Sequence, residues 1–188
     1  MNRRRLTTPN ALTIGRIALI PVFVLFAMSS WTYAPFVALF IFCTAAITDK
    51  LDGYLARKYN QVTSFGKIMD PLADKLLVIA AFQVFLAQGR ISVVPLLLII
   101  ARELAVSSLR VVAMSEGKLM PAAWSGKIKT AVQLTVAIVY LLWPERWLSC
   151  GTVILTVLAW ITAAVTLWSG FDYFWTNRAL IHTSTDRT

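Results

Sequence analysis

Asp49, Asp52, Gly53, Ala56, Arg57, Gly66, Asp70 and Asp74 lie in segments otherwise apolar enough to sit in a bilayer. Four ionised carboxylates facing lipid would cost on the order of 12 kcal/mol, at roughly 3 kcal/mol each. They must therefore face a wet cavity or a metal. At about 100° per residue, Asp49, Asp52, Gly53 and Ala56 share one helical stripe, and Gly66, Asp70 and Asp74 share a stripe on the next helix. A hairpin closed by the short, polar connection from Lys58 to Phe65 would turn the two stripes toward each other. Carboxylates gathered that closely would repel and take up protons unless cations intervened, which points to a divalent metal site built from oxygen ligands. Magnesium or manganese fits best, since a softer metal would want His or Cys. The lone His182 lies in the polar tail, and Cys43 and Cys150 have no ligand-like spacing.

With its fixed positions and intervals, the stretch DKLDGYLARKYNQVTSFGKIMDPLAD resembles the signature of the CDP-alcohol phosphotransferase family, Asp-x2-Asp-Gly-x2-Ala-Arg-x8-Gly-x3-Asp-x3-Asp, without departure. The resemblance implies that Asp49, Asp52 and Asp70 hold the metals, two Mg2+ or Mn2+ ions per site, with Asp74 added as a ligand and acting as the catalytic base. It also implies that the CDP-lipid packs against Asp52, Gly53, Ala56 and Gly66, with Arg57 pairing with phosphate. On the residues alone, Gly53, Ala56 and Gly66 read equally as close-packing helix contacts. Related enzymes are homodimers, so a homodimer is implied as well.

The supporting elements follow from composition. Of the 188 residues, 58% are hydrophobic and only 14% charged, far from the balance of a soluble domain. Apolar spans run at about Leu12 to Ser29, Pro35 to Arg57, Gly66 to Gln88, Ser92 to Met114, Ala122 to Trp143 and Cys150 to Trp175. The expectation is an all-α polytopic membrane protein, six transmembrane helices in one bundle. Residues 1–188 would form a single domain, with 1–10 an interfacial N-terminal segment and 176–188 a polar tail. The net charge of +9 gathers beside the apolar spans, which favours membrane phosphates over nucleic acid as its counterpart. One face collects the N-terminal arginines, Arg57, Lys58, Lys67, Arg110, Lys118, Lys127, Lys129, Arg178 and Arg187; the other keeps Arg90 and Arg146. That bias places both termini and the aspartates on the cytoplasmic side, and the family resemblance implies a bacterial inner membrane. Trp31, Tyr33, Trp143 and Trp147 read as a belt at the opposite interface. Asn10, Thr13 and Arg16 fall at near-helical spacing and read as interfacial anchors or as part of the family's N-terminal Pro-Asn-x-Leu-Thr stretch. Pro71, between Asp70 and Asp74, is expected to bend its helix.

The acceptor alcohol needs its own site. Arg102, Arg110 and Lys127 are the candidates for holding an anionic group, with Ser125, Lys129 and Thr130 opening the same helix as Lys127. For Arg102, followed by Glu103, a structural salt bridge is the alternative; for the lysines, it is a purely topological charge. The TDKLDG and IMDPLADK contexts and the ARE and GKIKT segments extend the resemblance. Within the family they point to sn-glycerol 3-phosphate accepting the phosphatidyl group of CDP-diacylglycerol, giving phosphatidylglycerophosphate and CMP. Inositol phosphate, serine and phosphatidylglycerol serve as acceptors in sister enzymes with the same signature. A cation transporter is the rival class, and the absence of repeat halves weighs against it.

Overall fold

The computed structural model describes residues 8–58, 64–115, 123–143 and 148–178, and of residues 8–12, 49–58, 64–71, 74, 114, 115 and 148–152 the backbone alone. Every described element is a helix: α1 (Thr8–Ala27), α2 (Ala34–Lys58), α3 (Ser64–Ala87), α4 (Val93–Ser115), α5 (Trp124–Leu142) and α6 (Leu148–Thr176). Each boundary lies within about one turn of the apolar span expected from sequence. One stretch, Val153–Thr176, is long and apolar enough by itself to cross a membrane; Thr13–Ala27, Ala34–Thr48 and Lys75–Ala87 are shorter apolar stretches.

The helices fall into two compact units, residues 1–88 and 89–188. In the first, α1 packs against both α2 and α3, and α2 also touches α3. The α1–α2 seam runs through Phe23 and Phe42, whose ring centroids are 5.7 Å apart. Small residues four apart, Ala34 and Ala38, and then Ala45, line the buried side of α2 and let the backbones approach. The α1–α3 seam ends where Gln88 Nε2 donates to the Ala27 carbonyl at 2.8 Å. Gly89 then adopts φ +70°, the left-handed conformation that closes a helix C-terminus at little cost only for glycine. Helix α1 continues through Pro21, and α3 through Pro71.

In the second unit α6 packs against both α4 and α5. Its buried stripe, Leu155, Ala159, Thr162, Thr166, Ser169 and Tyr173, repeats at alternating steps of four and three and is mostly small. Three contacts fix α5 antiparallel to α6: Ser125 Oγ to Asp172, Gln133 Nε2 to Thr166 Oγ1 at 3.2 Å, and Tyr140 Oη to the Leu155 carbonyl. Arg90, counted from sequence among the cations of the far face, is buried and donates to the Tyr140 carbonyl at 2.8 Å.

Both units carry polar residues inside and large apolar ones outside. Thr13, Arg16, Arg102, Glu103, Lys129 and Gln133 are buried, while Leu25, Phe40, Val111 and Val153 are 72%, 72%, 65% and 71% exposed. Hydroxyls on the apolar helices turn back on their own backbone: Thr44 on Phe40 at 2.7 Å, Thr48 on Thr44 at 2.6 Å and Thr162 on Leu158 at 2.8 Å.

Candidate functional site

The four aspartates fall on the two helices expected to carry them. Asp49 and Asp52 lie in the last turns of α2; Asp70 and Asp74 lie in the first turns of α3. Their side chains, and those of Gly53, Ala56, Arg57 and Gly66, lie outside the described residues, as do the hairpin residues 59–63. Among the described residues no group of three or more His, Cys, Asp or Glu is placed to hold a metal ion.

Backbone register nonetheless relates α1 to these positions. Arg16 precedes Phe23 by two turns, and Asp49 follows Phe42 by two turns, so on antiparallel helices they stand at one level. Thr13 lies as far before Ala27 as Asp74 lies before Gln88, so these two are also level. Thr13 and Arg16 are each 1% exposed. A guanidinium taken fully out of water costs several kcal/mol unless it is charge-compensated. Within residues 1–88 the only acidic residues are Asp49, Asp52, Asp70 and Asp74. The anchor reading of Thr13 and Arg16 is therefore corrected: they are interior groups of the unit that carries the aspartates. The signal was present in the sequence, as a lone arginine about one turn inside an apolar span.

The second unit places the acceptor candidates. Arg102 is 9% exposed; its Nη2 donates to Ser169 Oγ at 2.8 Å, and its Nη1 to Glu103 Oε1 at 3.4 Å. Lys129, buried on α5, donates to the same Glu103 oxygen. The chain Lys129, Glu103, Arg102, Ser169 thus ties α5, α4 and α6 together, and the salt bridge weighed for Arg102 is present. Arg110, two turns further along α4, holds its guanidinium 5.7 Å from the Tyr173 ring centroid. Its Nε is buried without a hydrogen-bond partner. Ser169 and Tyr173 are one turn apart, so α6 brings the two arginines to successive positions of one face. Lys127 is exposed, 4.7 Å from the ring centroid of Trp124. Helix α5 begins after Ala123, whose side chain cannot cap it, and the Ser125 hydroxyl in its first turn donates to Asp172.

Two cations on one buried carboxylate make Glu103 the keystone of this cluster. Glu103→Leu is expected to cost about 3 to 5 kcal/mol of stability, the range for stranding buried charge, read as a lowered unfolding midpoint in detergent. Adding Lys129→Met should recover part of the loss. An unchanged midpoint for Glu103→Leu would remove the structural role.

The signature on α2 and α3 lies within the segment that the family comparison matches. Residues 6–168 match the model of the CDP-alcohol phosphatidyltransferases, and the chain belongs to that family. The chain is 42% identical over 177 residues to the CDP-diacylglycerol–glycerol-3-phosphate 3-phosphatidyltransferase of Escherichia coli strain K12, covering 91% of this chain and 94% of that protein. Proteins of the same description from Shigella sonnei and Shigella boydii match at 42% identity over the same shares.

Proposed function

We propose that the chain transfers the phosphatidyl group of CDP-diacylglycerol to sn-glycerol 3-phosphate, yielding phosphatidylglycerophosphate and CMP, and so acts in phosphatidylglycerol and cardiolipin synthesis. The observation that carries this reading is the complete eight-position signature in a chain 42% identical, nearly end to end, to proteins named for that activity. Residues 1–188 act as one catalytic domain. The inside-out distribution of polar and apolar side chains supports a polytopic membrane protein. The Lys and Arg bias supports cytoplasmic termini and a cytoplasmic active site in a bacterial inner membrane. From the family likeness we also infer a homodimer.

Divalent metal fits the donor set. Two turns of α2 and two of α3 supply only hard carboxylate oxygens, and these helices touch each other and share α1 as a neighbour. Asp49, Asp52, Asp70 and Asp74 would hold Mg2+ or Mn2+, two ions per site. Such ions, when bound, neutralise pyrophosphate charge and stabilise the leaving phosphate. Gly53, Ala56 and Gly66 leave room for the nucleotide beside Asp52, and Arg57 pairs with its phosphate. Asp74 takes the proton of the acceptor's primary hydroxyl. The freed oxygen bonds to the β-phosphorus of CDP-diacylglycerol, the bond from that phosphorus to the bridging oxygen breaks, and CMP leaves with the electron pair. Arg102, Arg110 and Lys127 hold the acceptor's own phosphate. In support, Arg102 and Arg110 each carry a buried Nε with no hydrogen-bond partner, a donor that an anionic oxygen would satisfy.

Acceptor choice is tested by offering the detergent-solubilised protein CDP-diacylglycerol with glycerol 3-phosphate, inositol phosphate, serine or phosphatidylglycerol, and identifying the lipid formed. Phosphatidylglycerophosphate should dominate. A different dominant lipid would keep the chemistry and reject the acceptor.

A further inference from the structure

We propose that Ser169 and Gly170 on α6 form a seat that sets the reach of Arg102 and thereby tunes selection of the phosphate-bearing acceptor. The inference rests on the reading of Arg102 as an acceptor ligand. A Cβ built on Gly170 would stand 2.8 Å from Arg102 Cγ, 3.4 Å from Nε and 3.7 Å from Cδ. Real Cβ atoms do not approach that closely, so the arginine stem crosses α6 at a position that lacks a side chain. The neighbouring Ser169 takes the end of the fork, its Oγ accepting from Nη2 at 2.8 Å, while Glu103 accepts from Nη1. With the stem seated and both terminal nitrogens engaged, the guanidinium has one rotamer to offer. Those two contacts use two of the five guanidinium N–H bonds, and Nε, on a side chain 8% exposed, has no hydrogen-bond partner. A planar fork fixed at two corners presents its remaining N–H bonds in set directions, which a flexible ammonium would not do.

The same face of α6 also carries Tyr173, under Arg110, so both arginines take their position from this helix.

The test is steady-state kinetics of Ser169→Ala, Ser169→Thr and Gly170→Ala, with Arg102→Lys as the reference. Gly170→Ala displaces the stem and Ser169→Ala removes the fork's acceptor. Each should raise KM for glycerol 3-phosphate about ten-fold while KM for CDP-diacylglycerol stays within about two-fold. Ser169→Thr, which keeps the hydroxyl, should restore the wild-type KM. An equal rise in both KM values, or a fall in kcat alone, would overturn the proposal by marking the pair as structural. If Gly170→Ala does not fold, the Ser169 pair decides. Should Arg102→Lys leave KM for glycerol 3-phosphate unchanged, the acceptor reading of Arg102 fails. If Arg102→Lys raises it and the Ser169→Ala and Gly170→Ala variants do not, only the seat fails.

Discussion

Asp52→Ala is expected to abolish phosphatidyl transfer while leaving the protein folded, and excess chelator is expected to do the same to the wild type. The expectation starts from helix geometry. Asp52 follows Asp49 by three residues on α2, and Asp70 and Asp74 are four apart on α3, so each pair repeats at one turn. Carboxylates in an apolar setting are tolerated when paired or metal-bound, and a hard divalent ion is the partner that suits four oxygens donors at once. Removing Asp52 takes away both a metal ligand and the group proposed to lie beside the CDP moiety. Loss of Mn2+ binding, followed by the spectroscopic signal of free Mn2+, should accompany loss of turnover. Full activity of Asp52→Ala, or of the wild type in chelator, would remove the metal-site reading.

Asp74→Asn is expected to lower turnover by at least about 10²-fold while CDP-diacylglycerol and Mn2+ still bind. A positioned base typically contributes 10² to 10⁴-fold, about 3 to 5 kcal/mol of barrier, because a primary alcohol does not ionise near neutral pH unaided. The asparagine keeps the size and one oxygen while losing the basicity, so it separates proton transfer from ligation. Asp74 lies one turn beyond Asp70 toward the middle of α3, and at the level of the buried Thr13 on α1. Near-normal turnover of Asp74→Asn would mean the proton leaves by another route. A matched loss of Mn2+ binding would make Asp74 a ligand first.

Sequence conveyed the helices better than their faces. Apolar length alone located α1 through α6 to within a turn, since a span must be continuous to cross hydrocarbon. Which side of each helix turns inward was not legible in the same way. When the outer surface is as apolar as the core, hydrophobic periodicity no longer separates them, and packing by small residues takes over. Arg16 illustrates the loss: one arginine in an apolar span reads the same whether it snorkels outward or is buried, and it is 1% exposed. Trp124 and Trp175 are a second case. With Lys127 and Arg178 over their rings at 4.7 and 4.5 Å, they make aromatic–cation pairs at the start of α5 and the end of α6, where only cations were foreseen. The Ser169–Gly170 seat was the least visible, because a serine beside a glycine acquires meaning only once Arg102 is laid across it. The aspartates, by contrast, were picked out from sequence alone, by their spacing and by the expected cost of carboxylates in apolar segments; the structure places their backbone on α2 and α3, and their side chains lie outside the described residues.

The most direct test of the whole account is the balance of products from the purified protein given CDP-diacylglycerol, sn-glycerol 3-phosphate and Mg2+ or Mn2+. CMP and phosphatidylglycerophosphate, quantified together by mass spectrometry, should appear in equal amounts, and both should vanish when either the acceptor or the metal is withheld. CMP release that continues without glycerol 3-phosphate, or no CMP release with every component present, would contradict it.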